Sequence, residues 1–232
     1  MIVLEGIIGS GKTTLMEYLE SLVNLHIDKT YVGENKIKKC SRRPLLFYEP
    51  VRGNPYLESF YKDMKKWGLE MQFWLMSKRF QAHNEAVSQE WFNKIETFHD
   101  RSIYGDSVFC EMLYDAGLIE KRGFENYNLM AAQMCKMLKE PNYIFFLDTE
   151  PEIALERIKG RGRESEQGIS VDYLISLRKK YYEKIIFWKE IYPHCKIKVV
   201  EWNDLKPEQF DFSDVHFNTG YESKLGEGIF YD

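Results

Sequence analysis

Gly6, Ile7, Ile8, Gly9, Ser10, Gly11, Lys12 and Thr13, with Thr14 following, spell a glycine-rich phosphate loop between an apolar run and a helix-length segment. Glycines at this spacing let successive backbone N–H groups point at phosphate oxygens, and the next helix adds the positive end of its dipole. Lys12 can then reach the outer phosphates, and the Thr13 hydroxyl can ligate Mg²⁺. The chemistry implied is the binding of a nucleoside triphosphate. Three other groups could act on that anion. Glu49, held by Pro50, is placed either to take a proton from an attacking hydroxyl or to serve as a cap or ion-pair carboxylate. Asp100 can hold Mg²⁺ and Arg101 can neutralise a transferring phosphoryl group, unless the two form a structural pair. Arg157, Arg161 and Arg163 alternate with glycines, which suggests a mobile arginine-rich lid and not a packed helix; a basic solvated loop is the alternative.

The elements that must position these residues are legible as apolar runs. Ile2 to Leu4, Leu45 to Tyr48, Ile95 to Phe98, Tyr143 to Leu147 and Ile197 to Val200 resemble buried parallel strands, separated by helix-length segments. That is the pattern of an α/β fold with an open parallel sheet, which binds ligands at the carboxyl ends of its strands. Gly6–Thr14, Glu49, Asp100–Ser102 and Asp148 all fall at such ends. Thr13 to Val23, Leu69 to Phe92 and Gly123 to Leu138 read as helices, and Asn24 to Arg43 as an irregular polar connection. On the second helix, Gln72 and Arg79 share one stripe with Leu75 and Met76, and polar groups on an apolar stripe want partners. We expect a single domain over residues 1–212 and a tail over 213–232.

Composition narrows the function. With 232 residues and 44% hydrophobic content, the chain can bury a core. A formal net charge of −4 argues against a broad grip on nucleic acid. No apolar stretch reaches membrane-spanning length, and the scattered Cys40, Cys110, Cys135 and Cys195 suit reduced thiols. Because the phosphate loop begins so early, no targeting segment is expected ahead of it, and a cytoplasmic setting follows.

Together the motifs resemble those of the deoxyribonucleoside kinases, the relatives of deoxycytidine, deoxyguanosine and deoxyadenosine kinase. The resemblance rests on Glu49-Pro-Val, on Asn54 to Asp63 with Tyr61 inside it, and on Gln72 eleven residues later. It continues through Asp100-Arg-Ser-Ile-Tyr-Gly-Asp106 and the segment from Arg161 to Ile169. It implies a P-loop kinase fold, with a five-stranded parallel sheet flanked by helices, and a homodimer. ATP with Mg²⁺ would donate a phosphoryl group to a nucleoside 5′-hydroxyl. Glu49 would be the base beside Arg101, Tyr61 and Glu166 would hold the sugar 3′-hydroxyl, Gln72 would pair with the nucleobase, and Phe109 would stack on it. An arginine–aspartate pair such as Arg79 and Asp106 accompanies members that accept purine deoxynucleosides or deoxycytidine over thymidine.

Two departures are expected to matter. Asp100 is one methylene shorter than the family's usual glutamate, favouring water-bridged metal contact, and Ser165 replaces the first of two lid glutamates. Two rival readings fit less well. Thymidylate kinase usually has an acid where Ile8 stands, and a GTPase-like switch needs an Asn-Lys-x-Asp motif that neither Asn35–Lys38 nor Asn93–Glu96 completes.

Overall fold

Residues of strongly apolar character at the N-terminus leave little choice of local structure, because a strand buried on both faces needs no polar alternation. The computed structural model describes residues 1–25, 44–51, 53–213, 215, 218–222 and 229–231. Its central sheet is wholly parallel and contains β1 (Ile2–Glu5), β2 (Leu45–Phe47), β3 (Thr97–Asp100), β4 (Tyr143–Asp148) and β5 (Lys196–Glu201), in the order β2-β3-β1-β4-β5. Side chains alternate across it. Met1 and Val3 join one hydrophobic cluster, while Ile2 and Leu4 join the other.

Seven helices are described: α1 (Lys12–Leu25), α2 (Leu57–Lys62), α3 (Met64–Asn93), α4 (Ile103–Asp115), α5 (Lys121–Lys136), α6 (Pro151–Arg161) and α7 (Val171–Ile191). The larger cluster lies between the sheet and α3, α4 and α7, with Phe146, Tyr181 and Trp188 among its buried residues. The smaller one packs Leu15, Met16 and Leu19 of α1 with Phe210, Phe212 and Val215. Asn218–Glu222 and Ile229–Tyr231, within the stretch read as a tail, pair antiparallel in a separate sheet.

The structure shifts several expected boundaries. Helix α3 starts at Met64 because Asp63 caps it, its side chain accepting from Lys66 N at 3.0 Å. Strand β3 begins two residues later than expected: Lys94 adopts φ 53° as the helix cap, and pairing sets His99 opposite Val3. The arginine-bearing segment needs the clearest correction. Arg157 and Arg161 lie in α6, and only Arg163 lies beyond it. Gly160 is accommodated within the last turn, and Gly162 ends the helix in the left-handed region at φ 66°. Residues 26–43, including Cys40 and most of the expected polar connection, lie outside the described residues. Among those described, no helix is long and apolar enough to cross a membrane.

Candidate active site

The phosphate loop closes on itself through Lys12. As the first residue of α1, it sends Nζ back to donate to Gly6 O at 3.1 Å, Ile7 O at 2.9 Å and Ser10 Oγ at 3.2 Å. Gly9 and Gly11 have φ values of 79° and 93°, and a Cβ at Gly9 would stand 2.4 Å from Ala154 O. Only glycine fits both the dihedral and the space. Ile8, Gly9, Gly11, Thr13 and Thr14 line the adjoining cleft of about 730 Å³, whereas Ile7 and Ser10 are buried beneath the loop. Burial, reinforced by the Arg101 charge, lowers the Lys12 amine to about 7.

Sheet register brings the acid and base groups to this loop. Leu4 pairs with Asp100, and Arg101 N donates to Leu4 O at 2.9 Å, so the end of β3 abuts the root of the loop. Thr13 Oγ1 donates to Asp100 Oδ2 at 2.6 Å, while Asp100 Oδ1 is buried without a hydrogen-bond partner. Burial raises the Asp100 carboxyl against the pull of Lys12. Glu49 Oε2 accepts from Arg101 Nε at 2.9 Å, and its Oε1 accepts from Arg79 Nη2. Burial alone would raise Glu49, but Arg101, Arg79 and Lys12 outweigh it and hold the carboxyl at about 2. Glu49 is therefore ionised at any working pH.

Away from the loop, Tyr61, Met71, Gln72, Phe109 and Tyr173 form the other wall of the same cleft. Gln72 is buried on α3 with Oε1 unpaired, and Arg79, two turns along, has an unpaired Nε. Asp106 does not line the cleft. It stands behind Arg79, accepting from Arg79 Nη1 and from the Tyr127 hydroxyl. Glu166 is buried in a 3-10 turn (Glu164–Glu166), where it accepts from Arg161 Nε at 2.8 Å and Arg163 Nη1 at 3.3 Å. Arg157 differs from those two. Its guanidinium donates to main-chain oxygens of Ser10, Trp202 and Asn203, tying α6 to the phosphate loop.

The geometry thus joins a triphosphate cradle, an ionised carboxylate between two arginines, and a recess with unpaired amide and guanidinium groups. A family profile described as deoxynucleoside kinase matches residues 2–218. The chain belongs to the deoxynucleoside kinase family. That membership removes the thymidylate-kinase and GTPase-like rivals, and with it the chain is an ATP-dependent phosphotransferase. A deoxyadenosine kinase of Dictyostelium discoideum is 34% identical over 209 residues, covering 90% of this chain and 75% of that protein. A deoxyguanosine kinase of the same organism is 33% identical over 204 residues, covering 88% and 64%. The solved deoxyadenosine kinase from M. mycoides with products dCMP and a flexible dCDP bound superposes with a TM-score of 0.67. That alignment has 25% identity and covers 90% of this chain and 91% of that one.

The deoxynucleoside kinase also carries site groups that the sequence reading passed over. Glu5 is fully buried, directly ahead of the loop, and Tyr181 bridges it to Arg101. Tyr127 backs Asp106, and Tyr173 lines the cleft. A charged residue ending an otherwise apolar buried strand was the available signal for Glu5. Nothing local marks the tyrosines, because their partners come from distant elements.

Proposed function

We propose that this kinase transfers the γ-phosphoryl group of ATP to the 5′-hydroxyl of a purine deoxynucleoside or deoxycytidine, in preference to thymidine. The observation that carries the reading is the position of Glu49. Its carboxylate lies between Arg79 and Arg101, in the same cleft as Lys12 on one side and Gln72 on the other.

The 5′-oxygen attacks the γ-phosphorus, the bond to the β-bridging oxygen breaks, and the hydroxyl proton passes to Glu49, leaving a 5′-monophosphate and ADP. A carboxylate held at about 2 is too weak a base to ionise the alcohol beforehand. It suits a loose transition state, in which the proton leaves only after the oxygen has begun to bond to phosphorus. Arg101 and Lys12 lie where charge accumulates on the transferring group. Arg161 and Arg163 are assigned to the phosphates, and Arg157 to fixing the loop they close upon.

Thr13 and Asp100 would hold Mg²⁺, and the unpaired buried Oδ1 of Asp100 fits that use. Bound there, the ion would neutralise phosphate charge. Tyr61 and Glu166 are assigned to the sugar 3′-hydroxyl, Phe109 to stacking, and Gln72 with Arg79 to the polar edge of the base. Arg79, backed by the buried Asp106, is assigned to reading ring substituents and leaves little room for a methyl group.

A homodimer in the cytoplasm, without nucleic-acid or membrane partners, completes the proposal. Exposed Leu129 and Met130 on α5, with exposed Met137 at its C-terminal cap, support a covered helical face. The test incubates the chain with ATP, Mg²⁺ and each of the four deoxynucleosides, then resolves products chromatographically. The expected result is monophosphate from deoxyadenosine, deoxyguanosine or deoxycytidine, at a kcat/KM well above that for thymidine. Equal efficiency with thymidine would overturn the base preference.

A further inference from the structure

Arg101 is held in an unusual conformation. Its φ is 70°, a left-handed value that a residue with a side chain adopts only when its surroundings impose it. Glu5 supplies much of that constraint. Its Oε1 accepts from Ser102 N at 2.9 Å, the peptide N–H immediately after Arg101, and from Ser102 Oγ at 2.7 Å. Its Oε2 accepts from the Tyr181 hydroxyl at 3.0 Å, and that hydroxyl oxygen in turn accepts from Arg101 Nη1 at 2.6 Å. Glu5 therefore reaches Arg101 from both ends, through the backbone on one side and through Tyr181 to the guanidinium on the other.

The surroundings give this carboxylate no other use. Glu5 is fully buried and does not line the cleft. Helix α4 is pressed against it, so that a Cβ at Gly105 would meet the carboxylate at 2.4 to 2.5 Å. Tyr181 is likewise fully buried, on α7. Its phenol orientation is polarised: the hydrogen goes to Glu5 and a lone pair faces Arg101.

We infer that Glu5 and Tyr181 are positioning residues for phosphoryl transfer, holding Arg101 in place while Glu49 exchanges its bond to Arg101 for the substrate hydroxyl. The inference rests on the transfer role given above to Arg101 and Glu49. In the structure Arg101 binds Glu49 only through Nε, whereas Nη1 is anchored on Tyr181 and on Gly6 O at 2.8 Å. Loss of the Glu49 contact therefore leaves two fixed points, and the guanidinium does not follow the carboxylate.

The test compares Tyr181→Phe, Arg101→Lys and their combination in steady-state assays with ATP, Mg²⁺ and the best deoxynucleoside, with Tyr104→Phe as control. Tyr104 donates to Lys139 O at 3.2 Å and touches none of these groups. Tyr181→Phe should lower kcat about 10- to 100-fold, the range expected for one hydrogen bond to a charged group, with both KM values within about threefold. In the Arg101→Lys background it should cost little more, because a residue acting through Arg101 has nothing left to position. Tyr104→Phe should leave kcat unchanged. Glu5→Gln, which keeps the shape but turns an N–H toward the phenol, should show the same split between kcat and KM. A Tyr181→Phe variant with kcat within twofold of the parent would overturn the inference, as would a loss that multiplies in full with that of Arg101→Lys. An unsubstituted chain that phosphorylates no deoxynucleoside would instead remove the underlying transfer reading.

Discussion

The two ends of the cleft are built in different ways. At the donor end the backbone does the holding: Gly9 and Gly11 shape the loop, and Lys12 is pinned by main-chain oxygens. At the acceptor end side chains hold one another, in a run from buried Tyr127 and Asp106 through Arg79 and the partly buried Glu49 to Arg101. A backbone cradle serves any nucleotide that offers phosphates, since every peptide presents the same N–H. A network of side chains can be retuned by one substitution, but each change strands a partner. Generality belongs to the first construction and selectivity to the second.

Substitutions at each end should break this contrast in distinguishable ways. The largest effect is expected at the join. Glu49→Gln removes the proton acceptor and should reduce kcat by about 10²- to 10⁴-fold, while nucleoside affinity measured by calorimetry stays within a few-fold. Gly9→Ala puts a methyl group against Ala154 O and forces φ 79° on a side-chain residue. It should raise the KM for ATP at least about tenfold, with nucleoside binding retained. A parallel loss of nucleoside affinity would show that the two ends are not separable.

At the acceptor end, Asp106→Asn removes one of the two carboxylates that Arg79 meets and leaves Glu49 as the other. It should lower unfolding stability by about 3 kcal/mol in denaturant titrations, and narrow the kcat/KM gap between thymidine and the preferred nucleoside. The smallest effect concerns protons. The chain's own groups place Lys12 at about 7, and seated phosphates favour the charged amine. ATP binding should therefore take up a proton, and its affinity should decline as pH rises from about 7 toward 9. Calorimetry in buffers of differing ionisation heat measures that uptake directly, and its absence at pH 8 would contradict the lowered amine.

The same contrast explains what the sequence made legible. The phosphate loop is contiguous, and its glycines, lysine and threonine do their work within eight positions. All five strands are marked by apolar runs, most plainly β1 and β4, where burial on both faces leaves few polar residues. The bounds of β3 shift by two residues because His99 and Asp100 are polar yet buried, and only pairing with β1 fixes its register. Gln72 and Arg79 stood out as polar residues on an apolar helix stripe. Asp106 was named from a motif, but its position behind Arg79 depends on how α4 packs against α3. The helix through Arg157 and Arg161 was obscured by Gly160, whose cost of about 1 kcal/mol is outweighed by burial of Ala154 and Ile158 on the same helix.

Arg79 belongs to both Asp106 and Glu49, so under the proposed roles a single guanidinium serves recognition of the base and orientation of the proton acceptor. Selection for a new base at this position cannot leave turnover untouched. Lineages that broaden their diet through Arg79 should first become slow, and recover speed only through second changes around Glu49.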